Sequence, residues 1–148
     1  VQLSPNFSLE ELTASDTAAQ NGIDNTPTSA VLANLSVLAS GLEAVRALLG
    51  NLPIHINSGY RCPELNKLVG GASNSAHMDG FAADILCPQF GTPLAIVQFI
   101  AKSHLDFDQI IQEGTWVHCS FAPALRGMTM TAHFGPGGTT YSNGIDAA

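Results

Sequence analysis

From Val31 to Leu49 the chain repeats apolar residues at steps of three and four: Val31, Leu32, Leu35, Leu38, Leu42, Val45, Leu48 and Leu49. That spacing draws one stripe along a 3.6-residue helix, so the segment predicts the longest helix of the chain, its stripe facing a core. Pro27 ahead of it and Gly50 behind it stand where helix punctuation belongs. A shorter helix begins upstream in SLEELTAS, where Ser8 and Glu11 have capping-box spacing. Polar QNGIDNTPTS separates the two.

After Gly50 the period drops to two. Ile54 and Ile56 alternate with His55 and Asn57 in PIHINSGYR, which predicts a strand running into a Ser-Gly turn. PELNKLVGG has Pro63 at a first helical position and a glycine pair at its end, a short helix. GFAADILC reads as a buried strand, TPLAIVQFIAKSHL as a second amphipathic helix, and FDQIIQEGTWVHCSF as two strands interrupted near Gly114. The glycine-rich tail, TMTAHFGPGGTTYSNGIDAA, reads as a flexible end. The pattern predicts one α+β domain over 1–148. Its N-terminal helices (about 6–50) pack on a small, mainly antiparallel sheet that belongs, with the chemistry, to about 53–135.

Composition narrows the function. Hydrophobic residues are 45% and charged residues 11% of 148, enough for a compact core without staples. The net charge is −7, and the five basic residues (Arg46, Arg61, Lys67, Lys102, Arg126) are scattered. With no basic stripe, nucleic-acid binding and adsorption to an anionic membrane are both disfavoured. No apolar run approaches the roughly 20 residues of a membrane span. VQLSPNFSLEEL lacks the basic start and apolar centre of a signal peptide. Cys62, Cys87 and Cys119 are odd in number and lack Cys-x-x-Cys spacing, so buried free thiols are expected rather than a disulfide framework.

The chemistry concentrates in SNSAHMDGFAADI, residues 73–85, where His77 and Asp84 flank Gly80. WVHCSF adds His118. Two imidazoles and a carboxylate suit a catalytic zinc, which takes three protein ligands and leaves a fourth place open. Here His77 sits in a loop, Gly80 permits the turn, and Asp84 projects inward from the following strand beside small Ala82 and Ala83. His118 comes from a neighbouring strand, with Trp116 on its face and Val117 and Cys119 on the other. Each residue alone has a plainer reading: Asp84 as a turn residue, Arg61 as half of an ion pair, Trp116 as core or groove. His55 and His104 are left as ordinary residues, and so is His133 unless the tail folds back to the site.

SAHMDGFAAD fits Ser-x-His-x-x-Gly-x-Ala-x-Asp, and in this it resembles the zinc D-Ala-D-Ala carboxypeptidase family. That family includes D-Ala-D-Ala dipeptidases of vancomycin resistance and phage L-alanyl-D-glutamate endopeptidases. SGYR upstream and WVH downstream stand in the family's order, and FSLEELTASDTAAQNGIDN and FDQII are similar to its phage and prophage members. The likeness extends to about Phe121. It implies a hedgehog/DD-peptidase-like fold, one zinc ion held by His77, Asp84 and His118, and a peptidoglycan stem peptide as substrate. Arg61 would stabilise the oxyanion or hold a substrate carboxylate, and Ser75 and Trp116 would contact substrate. Several relatives place the general base two or three positions before the last zinc histidine. Thr115 and Trp116 occupy those positions here, so the role falls to Glu113, with Asp79 and His133 as fallbacks. The implied protein is a phage or prophage muralytic peptidase, made in the host cytoplasm or carried on the virion and acting at the cell wall. The alternative is a non-catalytic zinc-containing protein that binds peptidoglycan or serves the virion structurally.

Overall fold

The architecture is taken from a computed structural model, which describes residues 1–145. Strands β1 (Gln2–Ser4) and β2 (Phe7–Ser8) form a small antiparallel pair leading into α1 (Leu9–Thr13) and α2 (Asp16–Gln20). The long helix α3 (Ser29–Leu48) precedes β3 (His55–Ser58), α4 (Pro63–Leu68), α5 (Ala76–Asp79) and β4 (Ala82–Leu86). Helix α6 (Pro93–Ala101), β5 (Gln109–Gln112), β6 (Val117–Ser120), β7 (Met128–Gly135) and β8 (Gly138–Asn143) complete the order. The fold is α+β.

Side-chain caps start the helices as the sequence pattern requires. The Ser8 hydroxyl accepts from Glu11 N at 3.2 Å while the Glu11 carboxylate accepts from Ser8 N at 3.0 Å, a complete capping box. Thr28 caps α3 and Thr92 caps α6, the latter with Pro93 in its first turn. The α3 stripe is buried through Leu35, Leu38, Ala39, Leu42 and Val45. By length and composition α3 is apolar enough to cross a membrane, which corrects the expectation that no segment reaches that size. Alanines between the leucines extend the apolar stretch beyond what the stripe alone suggested, and in this fold the stripe is the centre of the core.

The main sheet has the order β3-β4-β6-β5-β7-β8, antiparallel except for the parallel pair β5–β7. Alternation divides its central strands between two environments. Ala83 and Ile85 of β4, Ile110 of β5, and Val117 and Cys119 of β6 join the α3 and α6 side chains in one apolar cluster. Asp84, Ile111 and His118 face the other way, into an open cleft. All three cysteines are buried free thiols.

Two local expectations need correction. His77 lies in α5, a single helical turn, rather than in a loop. Ser75 caps that turn by accepting from His77 N at 3.2 Å, and Gly80 ends it at φ +80. The tail read as flexible is instead a β-hairpin from Met128 to Asn143, paired from Met130↔Asn143 to Gly135↔Gly138. Threonines at 129, 131, 139 and 140 suit a pleated surface, and the glycines that suggested disorder supply the turn. Residues 146–148 of that tail lie outside the described residues.

Gly59, directly after β3, packs closely on the backbone of α1. A Cβ there would stand 2.2 Å from the Leu12 carbonyl oxygen. Gly59→Ala is therefore expected to destabilise the protein by about 1–3 kcal/mol in urea denaturation, the usual cost of overpacking. Gly137→Ala, whose Cβ would meet nothing within 4 Å, is expected to leave the midpoint unchanged.

Candidate metal centre and its cleft

Asp84 and His118 are direct partners in the β4–β6 ladder, so their side chains leave the sheet side by side. His118 Nδ1 stands 3.2 Å from Asp84 Oδ1. His77 comes from α5, and its Nε2 stands 3.3 Å from the same oxygen. The two rings meet edge-on with centroids 5.1 Å apart. His77 is 2% exposed, and the Asp84 and His118 side chains are 14% and 13% exposed. The three donor atoms lie within 4.8 Å of one another.

Neighbouring backbone fixes this geometry. His77 Nδ1 contacts the Gly59 carbonyl oxygen at 2.7 Å, which sets Nδ1 as the protonated nitrogen and leaves the Nε2 lone pair facing Asp84. Arg61 N donates to the His77 carbonyl at 3.1 Å. Asn25 holds the same turn from the other side: it accepts from Cys62 N at 2.8 Å and donates to the Tyr60 carbonyl at 3.0 Å. The polar connector before α3 thus positions Arg61. Asn66, buried in α4, donates to the Ala72 carbonyl at 2.9 Å and anchors the loop before Ser75.

The electrostatics follow from burial and these contacts. Burial pushes the Asp84 carboxyl up, but His118 and His77 outweigh it and hold the group well below the usual carboxylate range. Burial lowers His77, with Asp84 opposing, which favours the neutral imidazole that a metal requires. Among the described residues the ion-pair partners of Asp84 are these two histidines. A nearly buried carboxylate facing two imidazole nitrogens, with no Lys or Arg in an ion pair with it among the described residues, is the environment a divalent cation completes. The donor set fits zinc: nitrogen and carboxylate ligands, three in number.

The cluster lies in a cleft of about 490 Å³, whose lining includes Arg61, Ser75, Glu113, Trp116 and Tyr141. Glu113 opens the turn between β5 and β6, where its N donates to the Trp116 carbonyl at 3.1 Å and Gly114 takes φ +83. Burial, then the charge of Asp84, raises its pKa, against smaller opposing effects of His118, Tyr141 and Trp116. Burial lowers Arg61 while Asp84 and Glu113 draw it back up; its Nε is buried without a hydrogen-bond partner among the described residues. The structure thus brings Arg61, Ser75, Glu113 and Trp116 to the same cleft as the three metal donors. The fallback bases are elsewhere. Asp79 ends α5 and His133 contacts Ser142 at 2.8 Å, and neither lines the cleft. Sequence reading missed Tyr141 because it treated the hairpin as a tail; the threonine-rich runs flanking a glycine turn were the available signal.

A family model described as peptidase M15 matches residues 5–120, most of the chain. The protein belongs to the peptidase M15 family. Over 80 residues it is 40% identical to the zinc D-Ala-D-Ala carboxypeptidase of Streptomyces albus G. That match takes in 54% of this chain and 31% of the relative, so the chain covers under a third of that protein's length.

Zinc at a hundred times its dissociation constant is expected to add about 2.7 kcal/mol to stability, seen as a rise in Tm over the chelated protein. Asp84→Asn, which removes the shared charge, is expected to lose that rise. An equal rise in the variant would place the ion elsewhere.

Proposed function

We propose that the protein is a zinc metallopeptidase that hydrolyses an amide bond in the stem peptides of bacterial peptidoglycan, as a phage or prophage muralytic enzyme. The observation that carries this reading is the convergence of His77 Nε2, His118 Nδ1 and an Asp84 oxygen in a cleft that also holds a carboxylate and a guanidinium. The peptidoglycan substrate rests on the likeness of SAHMDGFAAD to the zinc D-Ala-D-Ala carboxypeptidase family, and a relative of that name matches part of the chain. The phage setting rests on the likeness of FSLEELTASDTAAQNGIDN and FDQII to phage members of the family.

In this reading His77, Asp84 and His118 would hold the zinc, which would supply Lewis acidity towards water and a substrate carbonyl. Glu113 accepts the proton from the attacking water and passes it to the leaving amine. Its raised pKa brings the carboxyl nearer neutrality, where one group both takes and gives a proton efficiently. Arg61, whose Nε has no hydrogen-bond partner among the described residues, donates to the developing oxyanion or to a substrate carboxylate. Ser75 lines the cleft and caps the turn that carries His77, and Trp116 forms part of the wall against the peptide.

The shape of the site bears on the bond. A second groove of about 380 Å³, lined by Ser15, Asp16, Asn57 and Ser58, meets the main cleft at Arg61 and Asp84. It lies on the β3 side of the cluster, and the main cleft extends to the β5–β7–β8 side. A peptide laid across the sheet has room on both sides of the metal donors, which favours cleavage within a stem peptide over removal of one terminal residue.

Mass spectrometry of digested purified peptidoglycan, with and without chelator, identifies both activity and bond. New amine ends that disappear with chelator are expected. His77→Ala is expected to abolish zinc content and cleavage together; full hydrolysis by that variant contradicts the reading. Glu113→Gln is expected to keep zinc and lose turnover by about a hundredfold or more, the usual contribution of a general base.

A further inference from the structure

Strand β8 lies beyond the residues matched to the family, yet it contributes Tyr141 to the cleft. Register explains how. Strand β5 pairs with β7 through Ile111↔Met130 and Gln112↔Thr131, and Glu113 and Ala132 are the residues that follow this last pair. Ala132 in turn pairs with Tyr141. Glu113 and Tyr141 both line the cleft, with Ala132 on β7 between the turn that carries Glu113 and strand β8. Ala132 carries only a methyl group, and it is 7% exposed under its neighbours. Over so small a residue the Tyr141 side chain has room to reach across β7 towards Glu113, which lines the same cleft.

We propose that Tyr141 is a positioning residue whose hydroxyl donates to one oxygen of Glu113 and holds that carboxylate facing the His77–Asp84–His118 cluster. The other oxygen keeps its lone pairs for the proton taken in catalysis. Burial and the charge of Glu113 raise the phenol's pKa, so the hydroxyl keeps its proton at neutral pH and acts as a donor. The hairpin therefore completes the active site rather than trailing from it. The proposal rests on the reading of Glu113 as general base.

The test uses the full-length zinc-loaded protein. Tyr141→Phe is expected to keep zinc stoichiometry and KM and to lower kcat about tenfold, the effect of one hydrogen bond to a charged group. In a Glu113→Gln background the same change is expected to have no further effect, because Tyr141 acts through that carboxylate. A second readout needs no turnover. In metal-free protein the ultraviolet ionisation step of Tyr141, isolated by difference from Tyr141→Phe, is expected to move to lower pH in Glu113→Gln. An unmoved step overturns the contact, and an equal loss of kcat in both backgrounds overturns the positioning role. If Glu113→Gln abolishes turnover while Tyr141→Phe does not, this proposal alone fails. If neither variant loses turnover, the assignment of the base fails with it.

Discussion

One carboxylate, nearly out of water and held between two imidazoles, is the constraint on which the structure depends. Asp84 Oδ1 stands 3.2 Å from His118 Nδ1 and 3.3 Å from His77 Nε2. The first contact comes from strand pairing, since Asp84 and His118 are opposite one another in β4–β6. The second needs α5 to arrive at the right height above the sheet. Gly80 permits that approach: its Cβ would lie 2.9 Å from Val31 Cγ1 on α3, and its φ of +80 suits only glycine well. The Gly59 carbonyl then fixes the His77 ring. Core packing and metal-donor geometry are thus joined at α3, α5 and the β3–α4 turn.

The two faces of the sheet divide the labour. Period-two alternation sends Ala83, Ile85, Val117 and Cys119 into the core and Asp84 and His118 into the cleft. Cys119 follows His118 directly, yet its thiol sits in the apolar cluster, where burial raises its pKa and keeps it protonated. A one-residue slip of β6 would exchange the two. On the cleft side, burial draws Glu113 towards its neutral form, while Arg61 keeps its charge, the burial effect on it being opposed by Asp84 and Glu113. Within one family, such a cleft suits chemistry on a peptide carbonyl.

Much of this was legible because the relevant signals are local. The α3 stripe, the Ser8–Glu11 cap and the Pro63 start are decided within a few residues, and the observed helices follow them. His77 and Asp84 stand seven apart, with the glycine that their geometry requires between them. What escaped depends on distant pairing. The β7–β8 hairpin is rich in threonine and glycine rather than large apolar residues, and its place is set by parallel pairing with β5. Tyr141 acquires a role only through that pairing. Asn25 likewise reads as a loop residue until Tyr60 and Cys62 are brought to it.

One zinc ion among His77, Asp84 and His118 is what the donor geometry requires. An anomalous difference map from crystals of the zinc-loaded protein, measured on either side of the zinc edge, tests it most directly. One strong peak is expected, bounded by His77 Nε2, His118 Nδ1 and the Asp84 carboxylate, with Glu113 and Arg61 facing it across the cleft. A peak held by other residues, or none at this cluster in fully loaded protein, would contradict it.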